Sequence, residues 1–265
     1  MPNERLRTTL LESDYDERSL AGELGLDPKS VQRWVTRDVT PRRVTAHRAG
    51  RLLGVSASWL WPDLEAERES ASRAEIVTLY PHRSEVPRHL WLDLLASAGK
   101  RIWLYANASL FLPEENPESI DVIRRKAQNG AEIRILMADP DSPQCVTRGI
   151  EERLFDGIPA RVRMALSYYA PLEGVPGIDF RLQRETLYNS IFVYDDEMLI
   201  NQHAYGTYGY MCPILHLRRM DGGDFFGMYI RSFERVWETS SPLEESNFWR
   251  QRAAHISSAT AKTSS

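Results

Sequence analysis

Ser19-Leu20-Ala21-Gly22-Glu23-Leu24-Gly25-Leu26-Asp27-Pro28-Lys29-Ser30-Val31-Gln32-Arg33-Trp34 divides at Gly25 into two helical halves. In the first half, about Arg18 to Leu24, Leu20, Ala21 and Leu24 share one face, and Gly25 tolerates the left-handed conformation that ends a helix. Asp27 is a good N-cap and Pro28 is pre-set for the first helical position, so a second helix is expected over Pro28–Arg37. It turns Val31, Trp34 and Val35 inward and carries Lys29, Arg33 and Arg37 as a stripe at i, i+4 on its other side. Outward from this pair, Leu6, Leu10 and Leu11 predict a helix near residues 3–13. Pro41 closes the basic helix, Arg43–Leu53 forms a fourth ended by Gly54, and Ser56 caps a short fifth, Ala57–Trp61, before Pro62.

Two short helices joined by a glycine-containing turn, the second of them basic, make the helix-turn-helix pattern. The formal net charge of −4 conceals this segment. From Pro28 to Leu60 seven basic residues face a single acid, Asp38, which is +6 and leaves −10 for the rest of the chain. A local basic patch attracts phosphate even on an acidic protein, although a merely solvated arginine face has the same composition. If the second helix enters a DNA major groove, Lys29, Ser30, Gln32 and Arg33 reach base edges, and Arg37, Arg42, Arg43 and Arg48 sit nearer the phosphates.

The same stretch, followed by Pro41, Leu52-Leu53-Gly54-Val55 and Trp59-Leu60-Trp61-Pro62, resembles the Cro/C1-type (XRE) regulators of the actinobacterial kind. The resemblance covers about the first quarter of the chain and implies a DNA-binding transcriptional regulator. One departure is the acidic run Glu12, Asp14, Asp16, Glu17, which must then face away from DNA. The alternative is a small helical module used for protein contact.

Residues 63–75 are charged and rich in Ser and Ala, a helical linker between domains or one more exposed helix. Beyond it, residues 76–250 change rhythm. Ile102–Tyr105 and Ile133–Met137 are apolar strands separated by a helix from about Pro117 to Gln128, a crossover that suits parallel pairing. Ile178–Gln183, Asn189–Tyr194 and Glu197–Gln202 read as an antiparallel run turned at Asp195-Asp196, and Phe225–Glu238 as a final helix. The tail, residues 251–265, reads as disordered.

The strand after Asn129-Gly130, the stretch Tyr188–Asp195 and the terminal Phe233-Glu234-Arg235-Val236-Trp237 together resemble half of a phospholipase D-like module. Such modules carry His-x-Lys and, four residues on, Asp: the His attacks phosphorus and the Lys holds phosphate oxygens. On this chain those positions fall at Tyr188, Ser190 and Asp195, so only the Asp survives, and Gln202-His203-Ala204-Tyr205 stands where the Gly-Ser-x-Asn turn is expected. Tyr and Ser are poor substitutes for a nucleophile and a phosphate cation. The expected domain is therefore non-catalytic with a retained pocket. Carboxyl ends of strands bear ligands in α/β layers, which selects Asn107 and Asp139, with Tyr188, Ser190, Asn201 and His203 from the later strands, and Arg181 and Arg184 as further charges.

The expected fold class is multidomain α and α/β: an all-α helix-turn-helix domain over residues 1–62 and an α/β/α phospholipase D-like mixed-sheet domain over 76–250. The expected partners are double-stranded DNA, a second copy of the chain, and a small-molecule or phosphate-containing effector. The competing reading is a phosphodiesterase or nuclease of the phospholipase D-like class, with His203 as displaced acid/base and the first domain as its DNA targeting module; a purely scaffolding second domain is a third.

The 42% apolar and 10% aromatic content supports a packed core rather than disorder. No apolar run is long enough for a membrane span, and Met1-Pro2-Asn3-Glu4-Arg5 has no apolar signal region, so a cytoplasmic protein without membrane association is expected. Two cysteines, Cys145 and Cys212, make no disulfide framework. Cys212, His216 and His203 lack metal-site spacing, and no cofactor or metal is expected.

Overall fold

The structure is a computed structural model that describes residues 2–250, so the expected disordered tail lies outside the described residues. The described residues form two compact units, one of residues 2–74 with Asp221–Asp224, the other of Glu75–Met220 and residues 225–250.

In the first unit, α1 (Glu4–Glu12), α2 (Glu17–Leu24), α3 (Pro28–Arg37), α4 (Arg43–Leu52), α5 (Ala57–Leu60) and α6 (Asp63–Ala74) follow one another through short turns. Local chemistry sets their ends. Asp16 and Ser19 form a reciprocal capping box at the start of α2, Gly25 closes α2 at φ +71°, and the Asp27 side chain accepts from Lys29 N at the start of α3. Asn3 caps α1 through Oδ1, and its Nδ2 donates to Leu60 O at 2.9 Å, tying α1 to the end of α5. The core joins Leu6, Leu20, Val31, Ala46 and Leu60, with Trp34 meeting Trp61 edge to face at 5.9 Å. Such an aromatic pair adds ~1 kcal/mol beyond its burial. Gly50 lies where α4 approaches α5: a Cβ there would stand 2.7 Å from Val55 O. The charged stretch expected to link domains is α6, and the compact first unit continues through it to Ala74.

The second unit contains an eight-stranded mixed sheet. Its strands are β1 (Ile76–Tyr80), β2 (Arg101–Tyr105), β3 (Glu132–Ala138), β4 (Ile178–Gln183), β5 (Asn189–Tyr194), β6 (Glu197–Gln202), β7 (Ile214–Arg218) and β8 (Ser241–Pro242), in the order β1-β7-β6-β5-β2-β3-β4-β8. Helices α7 (Arg88–Ser97), α8 (Phe111–Glu115), α9 (Ser119–Gln128), α10 (Pro143–Glu151), α11 (Gly157–Tyr169) and α12 (Phe225–Thr239) complete it. Alternation along the strands divides the core. Ile102 and Leu104 face the layer of Leu95, Ile123 and Leu166, whereas Trp103 and Tyr105 face α12 through Phe233. Sheet and flanking helices thus make three layers. Glu75, almost fully buried, caps α12: its Oε2 accepts from Phe225 N and Phe226 N at 2.8 and 3.2 Å.

Ile178–Gln183 does not join an antiparallel run. It pairs in parallel with β3, while β5 pairs antiparallel with β2 and β6. Residues 184–188 cross from β4 to β5 over the ends of β3 and β2. Three strand spacings are about 14 Å, and five connecting residues reach farther than that. Short connections suggested neighbours; the chain's reach permits this one to skip two strands.

Candidate functional site

Two regions carry the residues singled out from the sequence. On α3, Lys29, Gln32, Arg33 and Arg37 are exposed and Ser30 is half-buried, opposite the inward Val31, Trp34 and Val35. Arg42 is exposed just before α4, and Arg43 is half-buried in its first turn. Among the described residues Lys29, Arg33, Arg37 and Arg42 make no ion pair, so their charges are available to an outside anion. Arg48 is partly committed: its Nη2 donates to Glu23 O at 3.1 Å, joining α4 to the last turn of α2.

The second region is a cavity of about 320 Å³ within the sheet-bearing unit, next to the carboxyl end of β2. The strands present Ser190 at the start of β5 and Asn201 near the end of β6, paired across the ladder. His203 follows β6, and Asn107 lies in the loop after β2. These four expected residues line the same cavity. Asp139 and Tyr188 do not. Asp139 turns back on its own loop, where Oδ1 accepts from Asp141 N at 2.9 Å. Tyr188 precedes β5, is 76% exposed and borders a separate cavity beside Arg235 and Val236 of α12. Arg181 also faces α12, 4.7 Å over the ring of Trp237, because its alternates Phe180 and Leu182 fill the other layer. Arg184 lies 3.9 Å from Asp139.

Around His203 the hydrogen bonds form one directed chain. Arg148 can only donate, so His203 Nδ1, 3.4 Å from Arg148 Nη2, accepts. The imidazole proton then resides on Nε2, which donates to Ser190 Oγ at 2.9 Å. Arg148 is held by Glu152 at 2.6 Å and Glu151 at 3.4 Å. Burial, and then the positive charges of Arg148 and Arg83, lower the His203 pKa to about 4, so the ring is neutral near pH 7. A neutral imidazole protonated on Nε2 offers Ser190 no lone pair. Activation of a serine uses the opposite polarity, with a carboxylate on Nδ1–H and a free Nε2.

Asp195, which the motif retains, is far from this chemistry in the ladder: it follows β5, whereas Ser190 begins it. Its carboxylate accepts Gly99 N, Lys100 N and Arg101 N at 2.7, 2.8 and 2.8 Å, while its backbone turns the β5–β6 hairpin at φ +54°. Burial alone would raise its pKa, but these amide bonds and the Lys100 charge outweigh it and hold the group below the usual carboxylate range.

The sequence reading missed Arg83, Ser109, Glu152, Leu154 and Arg161, which line the cavity from the segment after β1, the loop after β2, and the α10–α11 region. They belong to no motif, and only the fold brings them together.

No protein-family profile and no curated protein matches the chain. Solved structures similar to it include TrmBL2, an archaeal chromatin protein whose structure shows a novel mode of DNA binding (12% identity, 82% of this chain and 72% of that one, TM-score 0.39). They also include the phospholipase D family member Nuc from Salmonella typhimurium (12%, 58% and 89%, 0.36) and phosphatidylserine synthase from Haemophilus influenzae Rd KW20 (14%, 63% and 39%, 0.35). Likeness at these TM-scores carries no functional weight.

Proposed function

We propose that this chain is a cytoplasmic DNA-binding transcriptional regulator of the Cro/C1 type. In this reading α2 and α3 are the helix-turn-helix. Lys29, Ser30, Gln32 and Arg33 meet base edges, and Arg37, Arg42 and Arg43 meet phosphates, with Arg48 reaching a phosphate once it releases Glu23 O. The observation that carries it is the outward face of α3, whose cations have no acidic partner among the described residues and lie in a +6 window of an acidic chain. A buried or self-neutralised helix face has no such charges to offer.

The second unit is read as a phospholipase D-like module without hydrolytic activity, which senses a ligand in the Ser190–His203 cavity and joins two copies of the chain. The position of the family nucleophile is held by an exposed tyrosine outside the cavity, and His203 has the wrong tautomer and basicity for an acid/base. Two copies would set two recognition helices on half-sites about 34 Å apart, one turn of DNA. Ligand control then requires unequal ligand affinity for the DNA-competent and incompetent states.

Gel-shift and footprinting experiments with the full chain at moderate salt test the reading, with light scattering for the dimer. A protected, sequence-defined site supports it. Equal affinity for all duplexes, or none, removes it.

A further inference from the structure

Two arginines, Arg83 and Arg161, line the Ser190–His203 cavity beside one carboxylate, Glu152, which Arg148 engages at 2.6 Å. Arg83 lies in the short segment after β1, with its guanidinium 4.1 Å over the Phe111 ring and a buried Nε that has no hydrogen-bond partner. Arg161 comes from α11. Among the described residues neither makes an ion pair. Burial lowers the Arg83 pKa to about 10; the Glu115 charge opposes this, and the Arg161 charge adds to it by a smaller amount. Arg83 is therefore cationic at neutral pH, and an enclosed anion would partner its buried Nε.

The neutral groups at the same cavity point the same way. Ser190, 4% exposed, already accepts from His203, which leaves its hydroxyl proton free to donate. Ser109, 5% exposed and held at φ +50°, has a buried Oγ with no partner. An unpaired buried hydroxyl costs ~1–3 kcal/mol, and a ligand oxygen removes that cost. Phe192, Leu154 and Ile158 supply an apolar part of the wall beside Asn107, Asn201 and Glu152, and Tyr208 stacks on Tyr210 within 13° of parallel at 5.8 Å.

We propose that this cavity binds an organic anion, a phosphate monoester or carboxylate carried on a flat apolar body, with Arg83 and Arg161 holding the anionic head and the Ser109 and Ser190 hydroxyls donating to it. The cations come from the segment after β1 and from α11, not from the strand that carries Ser190. The proposal rests on the reading of the second unit as a sensor and specifies what it senses.

Calorimetric titration of the full chain with matched pairs tests it: adenosine monophosphate against adenosine, and benzoate against benzamide. The charged member of at least one pair binds, its neutral counterpart binds at least about tenfold more weakly, and Arg161→Gln removes that difference. The phosphate and carboxylate arms tell which head group the site prefers. Arg83→Gln gives the same loss; if it fails to fold, Arg161→Gln decides alone. Neutral members binding as well as charged ones, affinities untouched by Arg161→Gln, or no binding at millimolar concentration overturns the proposal. A neutral compound that binds and shifts DNA affinity leaves the sensor reading standing and sinks this inference. An arginine-dependent anion without effect on DNA does the reverse.

Discussion

Ser190 Oγ and His203 Nε2 are 2.9 Å apart, and the hydrogen bond between them runs from the imidazole to the serine. Arg148 imposes that direction by donating to the far ring nitrogen. Ser–His proximity alone suggests a catalytic dyad; the third partner inverts its meaning.

The first expected outcome follows from this inversion. In a pH titration of the imidazole by NMR, His203 should protonate near pH 4 rather than its ordinary 6.5. Because the folded-state value is depressed, the folded chain binds fewer protons than the unfolded one between those limits. Stability from this group is therefore complete above about pH 6.5 and is lost as pH falls toward 4. Arg148→Met should move the midpoint upward, since it removes one positive neighbour.

Phosphodiester hydrolysis is the second. The full chain should leave bis(4-nitrophenyl) phosphate intact, and His203→Ala should make no difference. Turnover abolished by His203→Ala restores the nuclease or phosphodiesterase alternative.

Asp195 supplies the third. Asp195→Ala removes the acceptor for three amides at the entrance to β2 and places a β-carbon residue without a local polar group at φ +54°. The cost in urea denaturation should be on the order of 3 kcal/mol, and Asp195→Asn should cost less because it keeps an acceptor and tolerates that backbone. The folded carboxyl lies below its ordinary 3.8, so its contribution is present above that pH and fades as pH falls through the lowered value.

These three residues also show how far the sequence could be read. Helix ends in the first unit were legible because Gly25, Asp27-Pro28 and Ser56 act locally, within a turn of where they stand. Asn107, Ser190, Asn201 and His203 were legible because they lie at or just beyond the tips of strands. The retained Asp195 was legible only as a motif letter, and its contacts tie a hairpin to the start of β2. Arg83, Arg148 and Arg161 were invisible, as they reach His203 or its cavity from segments 42 to 120 residues away in the chain. The parallel pairing of β4 was hidden for a similar reason: strand periodicity reports which face is buried, not which strand lies alongside.

Gly50 gives the fourth expectation. Gly50→Ala puts a methyl group 2.7 Å from Val55 O and 3.0 Å from Ala57 N. Since both contacts are backbone, α4 and α5 must separate, and the first unit should lose about 1–3 kcal/mol in thermal or urea unfolding. A neutral or stabilising effect would show that this approach is looser than the geometry states.

Sequence-directed DNA binding by α3 is open to a direct assay. The full chain is used to select a duplex from a random pool, and its affinity for the selected and a scrambled duplex is measured by fluorescence anisotropy across a salt series, with Arg33→Ala and Arg43→Ala alongside. The chain should prefer the selected duplex by about a thousandfold or more, with affinity that falls steeply with salt. Arg33→Ala should cost ~1–3 kcal/mol on the selected duplex and narrow the preference, while Arg43→Ala should weaken both duplexes alike and lower the salt slope by about one. Equal binding of selected and scrambled duplexes, unaltered by Arg33→Ala, would contradict it.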